Sequence, residues 1–401
     1  VETLLLGIYP LPAGYLWAGP AEVGQKPYEA LLAGCRPAEW TPRSTFFLRA
    51  LEGRTEEALQ ALGELPEPSG AFNRFVLAPS EASFRAATAC AEGEMAEVLA
   101  AVGYALGYLP TPPTPGEARA ERLAFVLVVA ATEALERGDL EGGLELLGRA
   151  SEAAASSPLF QAQIEANRAD VELQLHADPA VAASRLAGAI DALAEAAELK
   201  AVRAELAVGL GTHHLDRSSG NRAALLEAAR WLQVGLRDAS REREPELYAT
   251  GQQNLALAYL SMPLVQASDH LRQAVAVQAL KEARSALSKD DQGALWSQVS
   301  VNLANAIQHL PSTHPRENLA EAVEIYEEVL GMPGTLEDPL RRARVLANQG
   351  NALAHLGIHV HAVEKLREAG ALFEGHGESS SARAVDEVLA EIEAVAGEVR
   401  G

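Results

Sequence analysis

The 401-residue sequence predicts an all-α fold of stacked helical hairpins, and three observations carry that prediction. Hydrophobic residues make up 48% of the chain but aromatics only 5%. The apolar content is therefore dominated by Ala and Leu, which favour helices and let them pack closely. Small residues recur where pairs of helices would cross, with Gly211, Ala256, Ala304 and Gly350 spaced 45, 48 and 46 residues apart. The cleanest copy is 338–374, DPLRRARVLANQGNALAHLGIHVHAVEKLREAGALFE. Here Gly350, Ala362 and Ala369 sit at crossings, Leu346, Leu353 and Leu366 fill the spaces between, and Leu356-Gly357 makes the turn. Each unit of such an array touches only its neighbours, so length does not translate into a domain count and the core is long and thin.

Taken in order, residues 1–43 differ from the rest: six prolines, five glycines, three tyrosines and two tryptophans (Trp17, Trp40) crowd them, with one short helical candidate from Tyr28 to Ala33. An ordered, irregular arm packed on the first helices is expected, since a floppy tail gains nothing from Trp and Tyr. Hairpins follow from 44. In 44–62 Gly53 takes the turn and Ala58 the crossing; in 83–110 Ala86, Ala89, Gly93, Val98, Val102 and Ala105 are in register. TPPTPG (111–116) is a corner that no helix can continue through. The third hairpin, 124–150, turns at Arg137-Gly138-Asp139, and the fourth pairs 158–175 with 179–198 across HADP. In the next three the crossing pairs are Gly211/Ala229, Ala256/Ala274 and Ala304/Ala322, each 18 apart, against 12 for Gly350/Ala362. These three units thus share a six-residue extension of the turn. An Ala/Glu-rich helix over about 380–398 closes the chain as a polar cap, so the division is 1–43, 44–378 and 379–401.

Composition narrows the function. A net charge of -22 with dispersed basic residues disfavours nucleic acid. The same charge serves solubility and would attract a basic protein or peptide. The apolar runs at the N-terminus and at 123–135 are too short to span a bilayer, so no membrane role is expected. Cys35 and Cys90 are too few for a disulfide framework and lack metal-site spacing, which fits a cytoplasmic setting. The chain opens on Val1, compatible with a processed or trimmed product. No phosphate loop, GxSxG elbow, HExxH or calcium loop is present, so no catalytic residue, cofactor or metal is assigned. His355, His359 and His361 have the look of a ligand set, but they straddle a turn. Cys90 falls on an apolar grid and is placed in the core, as are Trp231, Trp296 and Tyr326 between repeats.

The small-residue grid over roughly 44–374 resembles the tetratricopeptide repeat, whose units are antiparallel helix pairs stacked into a right-handed superhelix, here of about eight hairpins. Two departures stand out: the large aromatic early in the first helix is mostly missing, and the period exceeds the standard 34. The resemblance implies a groove lined by the first helix of each pair. Mapped onto this chain, that groove holds Asn305 and His309 in the seventh hairpin and Asn351 and His355 in the eighth. Each pair is four residues apart and so shares one face. Asn254, Asn302 and Asn348 occupy equivalent places one turn earlier, and Gln298 and Arg344 stand at the groove-facing starts of their helices. Asn side chains donate and accept, which suits the main chain of an extended peptide; the same residues would also serve to satisfy groups inside the solenoid. Where carboxylate-clamp members carry Lys, this chain has Val301 and Ala347, so a chaperone C-terminal tail is not the expected ligand. The expected function is a scaffold that binds a protein, a peptide or a folded-back segment. Two alternatives are an enzyme whose histidines work in the channel under the N-terminal arm, and the sensor or oligomerisation part of a larger regulator. Self-association through the terminal repeats is a further expectation.

Overall fold

The structure, a computed structural model, describes residues 3–63, 65–175, 178–264, 269–311 and 314–398. Every regular element among them is helical. The chain forms two compact units, Val1–Leu206 and Ala207–Gly401. No helix among the described residues is long and apolar enough to cross a membrane.

In the first unit the arm carries two short helices, α1 (Pro20–Val23) and α2 (Gln25–Leu32). Next come α3 (Thr45–Leu51) paired with α4 (Thr55–Ala61), and α5 (Ser69–Leu77) paired with α6 (Glu81–Cys90). Helix α7 (Gly93–Ala105) lies between α6 and α8 (Ala120–Glu136), and α8 pairs with α9 (Leu140–Ala153). The last pair is α10 (Pro158–Gln174) with α11 (Pro179–Ala192). Local chemistry starts and stops these helices. Asp139 caps α9 by accepting from Gly142 N, and Gly138 before it takes a φ of 82°, a turn that a side chain would strain. Pro158 and Pro179 occupy the first turns of α10 and α11, where their missing N–H has no partner to lose. Beyond the corner at 111–115, the Glu97 carboxylate gathers the N–H groups of Gly116, Glu117 and Ala118, which ties the chain back to α7.

The sequence pattern missed α5 and therefore misassigned its neighbour. α6 pairs with α5, and the small residue it buries is Ala87, not Ala86 or Ala89, which are exposed. The reason is physical: α5 is only nine residues long, follows Pro66 and Pro68, and buries every residue but Arg74. A helix covered on all sides has no exposed stripe and so no period to read. Cys90 is likewise not in the core; it is partly exposed at the end of α6.

The second unit repeats one plan. Its pairs are the part of α12 (Lys200–Asp216) from Ala207 onward with α13 (Arg222–Asp238), α14 (Pro245–Ser261) with α15 (Asp269–Ala286), and α16 (Gly293–Gln308) with α17 (Pro315–Leu330). A one-turn helix, α18 (Pro333–Glu337), leads into α19 (Pro339–His355) with α20 (His359–Gly375), and α21 (Ser379–Glu398) packs on α20. Gly211, Ala256, Ala304 and Gly350 are all buried at the crossings. A Cβ on Gly350 would come within 2.7 Å of Leu366 Cγ. Tyr326 is fully buried, and Trp296 and Trp231 are 3% and 5% exposed. One crossing moves: Ala274 is exposed, and Ala276, at 0% exposure, makes the contact in α15. An Ala-rich helix offers a small residue on every face, so the helix's rotation and the length of the preceding turn are set by packing rather than by local pattern. Parts of that turn (265–268), of the next one (312–313) and of HADP (176–177) lie outside the described residues.

Candidate functional site

The first helices of the pairs present a face in each unit, and the two faces are occupied differently. In the first unit the face is filled by the chain's own arm. Leu5, Leu6, Ile8 and Leu16 are fully buried there. Each first helix supplies an aromatic ring: Phe47 of α3 meets Tyr9 edge-on at 5.6 Å, Phe72 of α5 meets Trp17 at 5.7 Å, and Phe125 of α8 meets Tyr15 edge-on at 5.3 Å. Phe160 of α10 closes on Gly7, where a Cβ would stand 2.2 Å from the ring. Polar groups of the same helices hold the arm's main chain. Asn73, fully buried on α5, accepts from Trp17 N (2.7 Å) and donates to Trp17 O (2.9 Å). Gln163 of α10 donates to Ile8 O at 2.8 Å, and Glu121 of α8 accepts from Leu4 N at 3.0 Å. Buried Glu121 is ion-paired with Arg122, whose guanidinium also lies over Trp17.

In the second unit the corresponding positions form a ladder of amides. Asn254 of α14 donates to Thr212 Oγ1 of α12 (2.8 Å), Asn302 of α16 to Gln253 Oε1 of α14 (3.3 Å), and Asn348 of α19 to Asn305 Oδ1 of α16 (3.0 Å). Each of these three equivalent asparagines therefore reaches back to the preceding first helix. Asn305 also accepts from Tyr326 OH at 2.5 Å, which ties α17 into the same node. Burial pushes the Tyr326 phenol well above its ordinary value, so the hydroxyl stays protonated as the donor. Asn351, the counterpart of Asn305 one repeat on, does something else: it is exposed and has no side-chain partner among the described residues. Gln298 and Arg344 are exposed in the same way. His355 ends α19 and is exposed, whereas His309 lies one residue past α16, as its cap, rather than within the helix. Val301 and Ala347 pack against the core.

Two groups of residues thus emerge from one predicted set. Asn254, Asn302, Asn305 and Asn348 join helices to one another; Gln298, Arg344, Asn351, His309 and His355 look outward. Thr212, Gln253 and Tyr326, the two acceptors and the donor that complete the ladder, share no repeat position or residue type, so the sequence pattern carries no signal for them. Among the described residues no group of three His, Cys, Asp or Glu stands close enough to hold a metal ion. Among the described residues the first unit, which includes the arm, has no histidine. An open groove of about 680 Å³ between α10 and α11 has Ala162, Gly188 and Ala189 in its lining, and its carboxylate, Glu165, is engaged by Arg185.

No family model and no curated protein matches the sequence. Among solved structures, the C-terminal part of a TPR repeat-containing protein from Cytophaga hutchinsonii is 11% identical at a TM-score of 0.44, over 69% of this chain and 89% of that one. A STAND signal-transduction ATPase with a tetratricopeptide-repeat sensor, from Pyrococcus horikoshii, is 12% identical at 0.40; the alignment covers 89% of this chain but spans only about half (51%) of that one. A structure of Naa15/Naa10 bound to HypK-THB is 15% identical at 0.26, over 87% and 64%. Within each unit the chain is a helical repeat: antiparallel pairs, stacked in order, crossing at small residues.

Proposed function

We propose that the protein holds an extended segment of another protein on the first-helix face of its second unit. The observation that carries this is the way the first unit treats its own arm. There Asn73 and Gln163, amides on first helices, bind the main chain of an irregular segment, and rings from those helices take its side chains. An extended chain presents one donor and one acceptor per residue, and an amide side chain answers both. The second unit keeps amides in equivalent rows but carries no phenylalanine on its first helices, so its face suits a more polar segment than the arm. In this reading Asn351, Gln298, Arg344, His309 and His355 contact the ligand, and Asn254, Asn302, Asn305 and Asn348 keep the helices in register beneath it.

The test is retention of arrayed short unstructured peptides by the purified chain. Asn351→Ala combined with Gln298→Ala should lower retention about tenfold, the loss of one or two hydrogen bonds, and leave helicity and melting unchanged. Asn305→Ala should instead lower the melting temperature. Unchanged retention in the double variant, with the fold intact, refutes the assignment.

A further inference from the structure

The chain is strongly acidic, yet in the last two pairs of the second unit the acid is not spread over both layers. Helix α16 (GALWSQVSVNLANAIQ) contains no Asp or Glu, and neither does α19 (PLRRARVLANQGNALAH), which carries three arginines. The second helices of the same pairs hold the carboxylates: Glu317, Glu321, Glu324, Glu327 and Glu328 on α17, and Glu364, Glu368 and Glu374 on α20. Those carboxylates are largely engaged by neighbouring cations. Glu321 pairs with Lys281 (2.8 Å), Glu328 with Lys289 (2.6 Å) and Arg284 (2.9 Å), Glu327 with Lys365 (3.3 Å), and Glu368 with Arg342 (2.7 Å).

Two cations left over in these pairs lie on α19. Arg341 and Arg344 have no side-chain hydrogen bond or ion pair among the described residues, and Arg344 is exposed. The nearest carboxylate in sequence, Asp338, caps α19 by accepting from Leu340 N and Arg341 N. Steps of three and four residues align Arg341, Arg344, Asn348, Asn351 and His355 along one side of α19. The Asn348–Asn305 bond sets that side against the uncharged face of α16.

Building on the peptide-binding role proposed above, we infer that the segment this face takes is acidic, with carboxylates opposite Arg344 and Arg341 and main chain along Asn351 and Gln298. This reverses the preference for a basic partner that the net charge of -22 suggests. Net charge acts at long range and is screened beyond about 8 Å at physiological salt, whereas recognition at contact depends on the charges lining the face itself. A lysine-rich segment laid on α19 would meet two unpaired guanidiniums and no carboxylate within the helix itself. An aspartate- or glutamate-rich one would gain charge-assisted bonds, bidentate where the guanidinium fork is free.

Three fluorescein-labelled Gly/Ser peptides of equal length, one bearing glutamates, one glutamines and one lysines, test this by anisotropy on the full chain in about 0.15 M salt. The glutamate peptide should bind at least about tenfold tighter than the glutamine peptide. Arg341→Gln with Arg344→Gln should remove that advantage while leaving circular dichroism and melting unchanged. Equal binding of the glutamate and glutamine peptides, tighter binding of the lysine peptide, or a glutamate advantage that survives the double variant overturns the acidic assignment. If the glutamine or lysine peptide binds and loses affinity in Asn351→Ala, peptide binding on this face stands without the acidic preference. If no peptide binds, both fall.

Discussion

Two glycines in α12, two residues apart, are expected to respond in opposite ways to replacement by alanine. A Cβ at Gly209 would meet nothing within 4 Å, whereas one at Gly211 would stand 2.6 Å from Leu232 Cγ, 3.0 Å from Leu232 N and 3.1 Å from Ala228 O. Both lie within Lys200–Asp216, so each replacement brings the same gain in helix propensity, about 1 kcal/mol. Nothing opposes it at Gly209, and Gly209→Ala should stabilise the chain by roughly 0.5–1 kcal/mol. At Gly211 two of the three neighbours are backbone atoms of α13, which cannot rotate away as a side-chain tip could. The methyl must push the helices apart, an overpacking that costs about 1–3 kcal/mol. The propensity gain offsets part of this, which leaves Gly211→Ala destabilised by up to about 2 kcal/mol. In a unit of about this size 1 kcal/mol moves Tm by about 2–4 °C, so melts followed by circular dichroism should place the variants several degrees apart, on opposite sides of the parent. If Gly211→Ala melts above the parent, as Gly209→Ala should, the argument that small residues are required at the crossings is wrong.

Other expectations concern the buried polar nodes. Tyr326→Phe removes the donor to Asn305 and should cost about 1 kcal/mol at neutral pH, while Asn305→Ala, which strands both Tyr326 OH and Asn348 Nδ2, should cost about 2–3 kcal/mol in urea unfolding. The Tyr326 phenol is held above its ordinary value of 10.0 by burial. A folded pKa above the unfolded one adds stability that is fully present below about pH 10 and lost as pH rises through the folded value. Tyr326→Phe should therefore flatten the alkaline loss of stability; an unchanged alkaline slope would show that this hydroxyl titrates as freely as in the unfolded chain. Asn73→Ala leaves the Trp17 main chain without its two partners, costing about 1–3 kcal/mol, and should red-shift tryptophan emission and open the arm to protease. Protection equal to that of the parent would mean that the arm is held by its apolar side chains alone.

The seventh and eighth hairpins show how far repetition carries. Asn305 and Asn351 occupy the same place in the repeat, four residues before a histidine, and sequence alone treats them as equals. In the folded chain Asn305 is enclosed by Tyr326 of its own pair and Asn348 of the next, because another hairpin follows and supplies that partner. Asn351 has no such partner among the described residues and looks outward. A polar residue's role depends on what stands across from it, which repeat position does not encode. Charge behaves the same way: the composition yields one number, and only the packing sorts the glutamates of α17 and α20 into ion pairs and leaves Arg344 unpaired on the other layer.

What the sequence determined by itself is the all-helical class, the hairpin of α3 and α4, the hairpins from α8 onward, and the small residues at Gly211, Ala256, Ala304 and Gly350, because periodicity and helix-crossing geometry are local and act over one or two turns. The tertiary structure alone decided that α5 is a helix, that Ala276 rather than Ala274 makes the crossing, that the arm fills the first-helix face of the first unit, and that the predicted asparagines divide between ladder and surface. Each of these depends on burial from several sides at once, by groups distant in the chain, and such burial erases the pattern of exposed and hidden residues from which a sequence is read.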